Sequence, residues 1–215
     1  MPRIKICGLK RECDVLWANE CKPDFVGFVF AGSKRKITFE QAMEFREILD
    51  ASILAVGVFV NEPVENVVKL VEQGAINLVQ LHGDEDENYI LWLRRRLEEI
   101  HKTSVKIIKA VRLANRECAM EAEKLSCDYL LYDTYVKDMY GGTGKKVNLS
   151  LLKELEEENV LHKPYFVAGG ISAENLNEVI EATKSFCIDI SSGVETDGYK
   201  DFQKMKEIVE MARGN

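Results

Sequence analysis

The sequence predicts an α/β protein of the closed (β/α)8 barrel class, folded as a single domain over residues 1–215. Short runs of β-branched and aromatic residues alternate with longer charged, amphipathic stretches, which is the pattern of βα units around a parallel sheet. This alternation occurs eight times without a linker rich in proline, glycine or serine. An open doubly wound sheet has about five or six strands, so the eight repeats favour a closed TIM barrel.

The predicted strands are short apolar runs, which span residues 3–7, 25–30, 53–59, 76–81, 105–109, 128–133, 164–168 and 187–191. Each run is followed by a stretch of helical length in which charged residues flank an apolar stripe. These predicted helices span residues 11–21, 39–50, 63–73, 85–100, 114–125, 149–159, 173–184 and 200–213. The connections between them are short, as they are in barrels of this class.

Several of the helices carry a recognisable start signal. Thr38 precedes an acidic first turn, and Pro63 stands where a first helical residue tolerates a missing N–H group. The acidic residues 84–87 are interpreted as the start of the fourth helix, because the helix dipole favours carboxylates there. Ser172 and Asn175 bracket the start of the seventh helix.

Composition and charge limit the classes of function. The chain is 46% hydrophobic, enough for a full core, and its formal net charge is −7. An acidic chain gives no electrostatic support to a nucleic-acid surface, and no apolar run approaches the roughly 20 residues that span a bilayer. The six cysteines contain no Cys-x-x-Cys pair, and the first segment is a strand and not a secretory leader. We therefore predict a cytoplasmic protein with free thiols and with no nucleic-acid or membrane partner.

Functional groups in such a barrel lie at the carboxyl ends of the strands and in the loops that follow. Those positions are Cys7-Gly8, residues 30–35, Asn61, residues 80–83, Lys109, Asp133-Thr134, residues 168–170 and residues 191–193. Cys7 is the most informative of them, because the first strand stops on a thiol and turns at once on a glycine. A free cysteine is more often core than catalyst, so its position alone leaves both interpretations open.

Two glycine-containing turns predict a phosphate site. Gly169-Gly170 follows the seventh strand, and Ser192-Gly193 follows the eighth. Such turns let successive backbone N–H groups point at one anion, close to a helix N-terminus. Either turn alone is equally consistent with an ordinary loop, but barrels of this class commonly hold phosphate after their last two strands.

Asp133 ends the sixth apolar strand and is a candidate proton donor. A carboxyl group at the mouth of an apolar strand can be desolvated, which raises its pKa. The alternative is a helix cap or a salt bridge in the loop. The segment Gly141-Gly142-Thr143-Gly144 follows and is interpreted as a lid over the substrate, with a merely mobile surface loop as the alternative.

Charged and polar residues after the second and fourth strands complete the candidate face. Arg35 lies in the basic run Ser33-Lys34-Arg35-Lys36, which is either solvated surface or the source of a two-point contact with a substrate carboxylate. Gln80 and His82 follow the fourth strand. The other two histidines fall in or beside helices where they cannot join His82, so no metal site is predicted.

Taken together, these motifs resemble the phosphoribosylanthranilate isomerase family of the tryptophan pathway. The two-glycine turns are shared with many phosphosugar barrels, whereas a Lys-Ile-Cys-Gly start combined with Gln-Leu-His-Gly is far more specific. The motifs that carry the resemblance are Lys5-Ile6-Cys7-Gly8, Gly27-Phe28-Val29-Phe30, Ser33-Lys34-Arg35, Val56-Gly57-Val58-Phe59, Val79-Gln80-Leu81-His82-Gly83, Asp133-Thr134, Gly141-Gly142-Thr143-Gly144, Ala168-Gly169-Gly170 and residues 189–195.

The resemblance implies an Amadori rearrangement of a small phosphosugar substrate, N-(5-phosphoribosyl)anthranilate, to a 1-deoxyribulose ketose, without a metal or an organic cofactor. It implies that Asp133 is the general acid, that Cys7 is the general base, and that Arg35 binds the anthranilate carboxylate. The phosphate would be held by Gly169, Gly170, Ser192 and Gly193, and the remaining residues of the active face are Gln80, His82 and Gly142.

The chain departs from the family pattern at two places. Val147-Asn148-Leu149 stands where relatives carry an aromatic residue, an acid and a tryptophan, and Ala31-Gly32 stands where many have a proline. Two other functions stay open: another phosphosugar isomerase or synthase, such as a histidine-pathway or dual-specificity Amadori isomerase, and a catalytically silent barrel. The histidine-pathway enzyme relies on two aspartates, whereas position 7 is a cysteine. The sequence leaves monomer and homodimer equally possible.

Overall fold

The computed structural model describes residues 1–133 and 149–214, and it forms a closed barrel of eight parallel strands in chain order. The strands are β1 Arg3–Cys7, β2 Phe25–Val29, β3 Leu54–Phe59, β4 Leu78–Leu81, β5 Lys106–Arg112, β6 Tyr129–Asp133, β7 Tyr165–Ala168 and β8 Cys187–Ile190. The helices are α1 Glu12–Cys21, α2 Phe39–Ile48, α3 Val64–Glu72, α4 Glu87–Glu99, α5 Arg116–Ala122, α6 Leu149–Glu157, α7 Leu176–Ala182 and α8 Phe202–Arg213. The predicted fold class is confirmed.

The start signals act largely as predicted. The Thr38 hydroxyl accepts a hydrogen bond from the Gln41 N–H, and the Gln41 side chain accepts one from the Thr38 N–H, which is a complete capping box. The carboxylate of Asp86 caps α4 by accepting from the Tyr89 N–H. Pro63 differs from the prediction, because it is the residue before the first helical one.

The helix after β7 begins later than predicted. Asn175 uses its side chain to close a turn, because its Oδ1 accepts from the Ser172 N–H and its Nδ2 donates to the Gly170 carbonyl. These bonds satisfy backbone groups locally, so α7 starts only at Leu176 and not at residue 173.

Strand β5 extends three residues beyond its predicted end, so Lys109 lies inside the strand and not at its carboxyl end. Its pairing with β6 continues through Arg112, which is opposite Asp133. Lys109 therefore lies within the strand, and its ammonium contacts Glu85 and the Gly83 carbonyl behind the β4 loop. The predicted position of Lys109 at the mouth of the barrel is wrong.

The segment after β8 contains elements that the sequence analysis did not predict. A 3-10 turn, Ser192–Val194, leads into a hairpin of β9 Glu195–Thr196 and β10 Tyr199–Lys200, which precedes α8. The hairpin turns on Asp197 and Gly198, both at positive φ. An Asp-Gly pair is a strong hairpin signal, so the hairpin could have been predicted from the sequence.

The inside of the barrel is apolar in its lower part and polar at its mouth. One buried layer consists of Phe25, Val56, Leu78, Ile108, Leu131, Phe166 and Cys187. Side chains on a strand alternate between its two faces, so the residues two places further on point inward as well. Those residues include Gln80, Asp133, Ala168 and Asp189, all of which line one cavity. The period of the strands thus places the polar groups directly above the apolar layer.

The helices pack around the outside of the barrel. Apolar side chains such as Ile90, Leu93 and Leu97 of α4 fill the space between helices and barrel. In the described part of the chain, no helix combines the length and the apolar character needed to cross a bilayer. All six cysteines are free thiols.

Candidate active site

A cavity of about 430 Å³ opens at the carboxyl ends of the strands. Its wall contains residues from β1, the β2 loop, β4, β6 and the loops after β7 and β8. The predicted site residues in that wall are Cys7, Arg35, Gln80, His82, Asp133, Gly169, Gly170 and Ser192. Gly193 follows Ser192 directly, whereas Gly142 and the predicted lid lie outside the described residues. The structure therefore brings predicted residues from the ends of six strands to one place.

Cys7 is the last residue of β1 and is partly buried. A side-chain carbon built on Gly27 would lie only 2.7 Å from its sulfur, so β2 needs a glycine beside the thiol. Burial raises the pKa of the Cys7 thiol above its usual value, while the positive charges of Lys5 and Lys200 oppose that rise. The thiol is therefore predominantly protonated at neutral pH.

Beneath Cys7 lies an ion pair that the sequence analysis did not identify. Lys5 is fully buried, and its Nζ lies 2.8 Å from Oδ2 of Asp189 on the neighbouring strand. The other oxygen of this carboxylate, Oδ1, is buried without a hydrogen-bond partner in the described residues. A charged residue in the middle of an apolar strand was the available signal, since both β1 and β8 contain one.

Asp133 ends β6 and faces the cavity beside His82. Its Oδ2 lies 3.9 Å from His82 Nε2, and the other ring nitrogen, Nδ1, is 2.9 Å from Gln80 Nε2. With Gln80 as the donor, the neutral imidazole carries its proton on Nε2, toward Asp133. Burial lowers the pKa of His82, and the Asp133 carboxylate opposes that shift. His82 is accordingly neutral at pH 7.

Arg35 reaches the cavity through a network of charges. Its guanidinium donates to Glu195 twice, with distances of 2.7 Å from Nε to Oε1 and 2.8 Å from Nη2 to Oε2. Lys200 Nζ is 2.7 Å from the same Oε1 and donates to the Ser191 carbonyl at 2.9 Å. Burial opposes ionisation of Glu195, but these hydrogen bonds hold its pKa at about 2. The three charges sum to +1, which suits an anionic ligand.

The position of Arg35 also depends on Gly8. A side-chain carbon at Gly8 would overlap Cδ of Arg35, and Gly8 has a φ of +86°. Position 8 thus requires a glycine for two separate reasons, the close approach of the Arg35 side chain and the positive φ. The arginine stem lies against the backbone of Gly8, the residue next to Cys7.

The loops after β7 and β8 form a cradle of backbone N–H groups. Gly169 and Gly170 both have positive φ, 108° and 64°. The N–H groups of Gly169, Gly170 and Ser192 donate to no backbone carbonyl of the described residues. A side-chain carbon on Gly193 would overlap the carbonyl oxygen of Ile171, so the two loops touch there. This arrangement presents free donors to the cavity, as anion sites built from glycine turns do.

No group of three or more histidine, cysteine, aspartate or glutamate side chains is arranged to hold a metal ion in residues 1–133 and 149–214. The polar groups in the cavity include a thiol, two carboxyl groups, an imidazole, a carboxamide, an arginine and backbone amides. Such a set can exchange protons with a ligand and can hold two anionic ends of it.

Comparison with known proteins finds a matching family model and close relatives over the full chain. The family model of N-(5'phosphoribosyl)anthranilate (PRA) isomerase matches residues 4–211. The N-(5'-phosphoribosyl)anthranilate isomerase of Endomicrobium trichonymphae is 46% identical over 213 residues, covering 99% of each chain. The crystal structure of phosphoribosyl anthranilate isomerase from Thermotoga maritima superimposes with a TM-score of 0.82 at 34% identity, covering 100% of both chains.

A further solved structure carries a ligand. It is a phosphoribosyl anthranilate isomerase in complex with reduced 1-(o-carboxyphenylamino)-1-deoxyribulose 5-phosphate. Its TM-score is 0.80 at 32% identity, and the match covers 100% of both chains.

Proposed function

The chain belongs to the N-(5'-phosphoribosyl)anthranilate isomerase family, and we propose that Asp133 and Cys7 divide its reaction as general acid and general base. The reaction is the isomerisation of N-(5-phosphoribosyl)anthranilate to 1-(2-carboxyphenylamino)-1-deoxyribulose 5-phosphate in tryptophan biosynthesis. The observation that carries this assignment is the common cavity, since a strand-ending thiol and a strand-ending carboxyl line it together with a cradle of backbone amides.

The proposed chemistry consists of two proton transfers. Asp133 gives its proton to the furanose ring oxygen, the bond from that oxygen to C1 breaks, and a protonated imine forms. The Cys7 thiolate then takes the proton from C2, whose electron pair neutralises the imine and leaves an enolamine. Tautomerisation of the enolamine gives the ketone. One donor and one acceptor therefore suffice.

The electrostatics support this order of steps. The Cys7 thiol is mostly protonated before the reaction, because burial raises its pKa. A protonated imine formed in the cavity adds a positive charge near the sulfur, so the thiol releases its proton to solvent at the cavity mouth, and the resulting thiolate is ready to accept the acidified C2 proton. Ring opening by Asp133 thus prepares the base for its own step.

Two anchors would hold the substrate across the mouth of the barrel. We assign the anthranilate carboxylate to Arg35, whose guanidinium keeps N–H groups beyond the two that Glu195 uses. We assign the phosphate to the backbone cradle of Gly169, Gly170, Ser192 and Gly193. The net charge of +1 around Arg35 supports the first assignment, and the free N–H groups support the second.

The same assignment bears on the compartment, the oligomeric state and the alternative functions. We propose that the protein works in the cytoplasm on a small phosphosugar, as a monomer or a homodimer. A dual-specificity Amadori isomerase is the remaining alternative, although the thiol at position 7 favours the tryptophan-pathway substrate over a site with two aspartates. A silent barrel is disfavoured because Cys7 and Asp133 share the cavity.

The decisive experiment is an activity assay with matched variants. The purified protein should consume phosphoribosylanthranilate, seen as decay of the substrate's fluorescence. Cys7→Ser and Asp133→Asn should each lower kcat by roughly a hundredfold or more, the size of effect expected for a proton-transferring group. Cys118→Ser, which alters a free thiol of α5 away from the cavity, is the control. Robust turnover by either site variant rejects its assignment.

Genetic complementation distinguishes the tryptophan-pathway isomerase from a dual-specificity isomerase and from a silent barrel. The gene should rescue a tryptophan auxotroph that lacks this isomerase, and it should be tested in a histidine auxotroph in parallel. Rescue of both strains would establish dual specificity, and rescue of neither would favour the silent barrel.

A further inference from the structure

We propose that Lys5 and Asp189 are positioning residues that set the proton affinity of Cys7, Lys5 by favouring the thiolate and Asp189 by opposing it. This inference rests on the proposed role of Cys7 as the base. It concerns two buried residues, Lys5 beneath the thiol and Asp189 in the cavity wall, and not the residues assigned to the substrate carboxylate or phosphate.

The geometry of β1 places the ammonium beneath the thiol. Lys5 and Cys7 are separated by one residue, so both side chains point to the inside of the barrel. Lys5 is paired in register with Asp189 across the closure between β1 and β8. Its Nζ lies 2.8 Å from Asp189 Oδ2, on the inner face of β1 from which Cys7 also projects. The ammonium is therefore bound to the carboxylate and lies on the same side of the strand as the thiol.

Stability alone does not account for this pair. Replacing a buried ion pair with apolar side chains of similar volume is often neutral or stabilising, because both charges lose their hydration. The layer just below is filled with residues such as Phe25 and Ile108, so this barrel accommodates apolar packing. Asp189 moreover leaves Oδ1 buried and unpaired among the described residues, which costs further free energy. A charge held at this position therefore points to a role in the site.

The other two cations near the thiol share a single carboxylate. Lys200 and Arg35 act on Cys7 from β10 and from the loop after β2, and both are bound to the Glu195 carboxylate. Lys5 from β1 and Asp189 from β8 act on it as well, and Asp133 from β6 and His82 after β4 line the same cavity. Burial raises the pKa of Cys7, Lys5 is the largest opposing influence, and Asp189 adds to the rise. The two partners of one ion pair thus act on the thiol with opposite signs.

This arrangement has a clear chemical consequence. Lys5 without Asp189 would increase the share of thiolate, and a thiolate of lower pKa is a weaker proton acceptor toward carbon and more exposed to oxidation. Asp189 without Lys5 would decrease that share. The pair keeps the thiol neutral at rest while the thiolate stays within reach of the positive charge created by ring opening.

The test measures the thiol directly, without substrate. The rate at which iodoacetamide alkylates Cys7 is followed against pH by mass spectrometry of the Cys7 peptide, which separates it from the other five cysteines. Lys5→Met should raise the pKa of Cys7 by about one unit, which slows alkylation about tenfold at a fixed pH near 8. Asp189→Asn should shift the pKa the opposite way and speed alkylation. The acidic limb of kcat/KM against pH should move in the same two directions.

The controls distinguish a charge effect from damage to the fold. Lys109→Met breaks another buried ion pair, with Glu85 on the outer side of the barrel, and should leave the Cys7 titration unchanged. If Lys5→Met does not fold, the double variant Lys5→Met with Asp189→Asn removes both charges and should still raise the pKa, by less than one unit. Shifts of the same sign in both single variants, or no shift, overturn the inference.

Failure of this inference is separable from failure of the proposed function. An unmoved Cys7 titration together with an inactive Cys7→Ser variant rejects the role of Lys5 and Asp189 alone. An active Cys7→Ser variant rejects Cys7 as the base, whatever the titration shows.

Discussion

Arg35 and Glu195 form a two-point ion pair although 160 residues separate them in the chain, with distances of 2.7 Å and 2.8 Å between the paired atoms. The pair joins the loop after β2 to the hairpin after β8, on either side of β1. It holds the arginine at the cavity wall before any ligand arrives, which reduces the side-chain entropy lost on binding. Preorganisation of this kind predicts an effect of Arg35 on substrate binding and an effect of Glu195 on stability.

Replacing Arg35 should weaken substrate binding more than it slows the chemistry. Arg35→Ala removes a charged contact to the substrate carboxylate, worth about 1 to 3 kcal/mol, which corresponds to a KM roughly 5- to 150-fold higher. Steady-state kinetics measure this, with Lys34→Ala in the same basic run as the control. An unchanged KM for Arg35→Ala would exclude Arg35 from the substrate site.

Replacing Glu195 should reveal its depressed pKa as a stability that depends on pH. Its folded pKa of about 2 lies below the usual 4.5, so its stabilising effect is complete above pH 4.5 and is lost as pH falls toward 2. Glu195→Gln should therefore lower the free energy of unfolding at pH 7 by on the order of 2 kcal/mol, and this difference should shrink below pH 4.5.

Urea unfolding at pH 7, 5 and 3 measures that difference. Glu65→Gln is the matched control, because Glu65 pairs with Arg96 on the surface and is 59% exposed. Because solvent screens that pair, the effect of Glu65→Gln should be clearly smaller than that of Glu195→Gln at pH 7. A difference for Glu195→Gln that is constant from pH 7 to pH 3 contradicts the prediction.

A methyl group on Gly193 should damage the phosphate cradle. The added carbon would overlap the Ile171 carbonyl oxygen and push the loops after β7 and β8 apart. Gly193→Ala should raise KM and weaken competitive inhibition by inorganic phosphate, by roughly tenfold or more, since two or more backbone donors move together. Gly32→Ala lies on the same cavity wall with no atom near its new carbon and is the control. Equal phosphate inhibition in both variants would argue against the cradle.

The titration of His82 should report on Asp133. Burial lowers the pKa of His82 below its usual 6.5, while the Asp133 carboxylate raises it. The midpoint measured by NMR should therefore lie below 6.5 in the unaltered protein, and Asp133→Asn should move it lower still. A midpoint that rises in Asp133→Asn, or stays unchanged, would show that the two side chains are not coupled at 3.9 Å.

Much of the site was predictable because strand ends converge in this architecture. Cys7, Asp133 and the turns at Gly169 and Ser192 were found from their places after apolar runs, and all of them line one cavity. The errors came from local bonding that a pattern does not contain. Asn175 closes a turn and delays α7, and β6 extends the pairing of β5 beyond Lys109. The predicted lid around Gly142 lies outside the described residues.

The sequence by itself determined the barrel and the candidates at its mouth, because a period of two along each strand and eight βα repeats leave few ways to bury the apolar residues. Only the tertiary structure decided which charges meet. Lys5 reaches Asp189 across 184 residues, and Arg35 reaches Glu195 across 160, because closing the barrel brings β8 beside β1. Contacts made by closure have no local pattern, so the electrostatic environment of Cys7 became visible only in the folded chain.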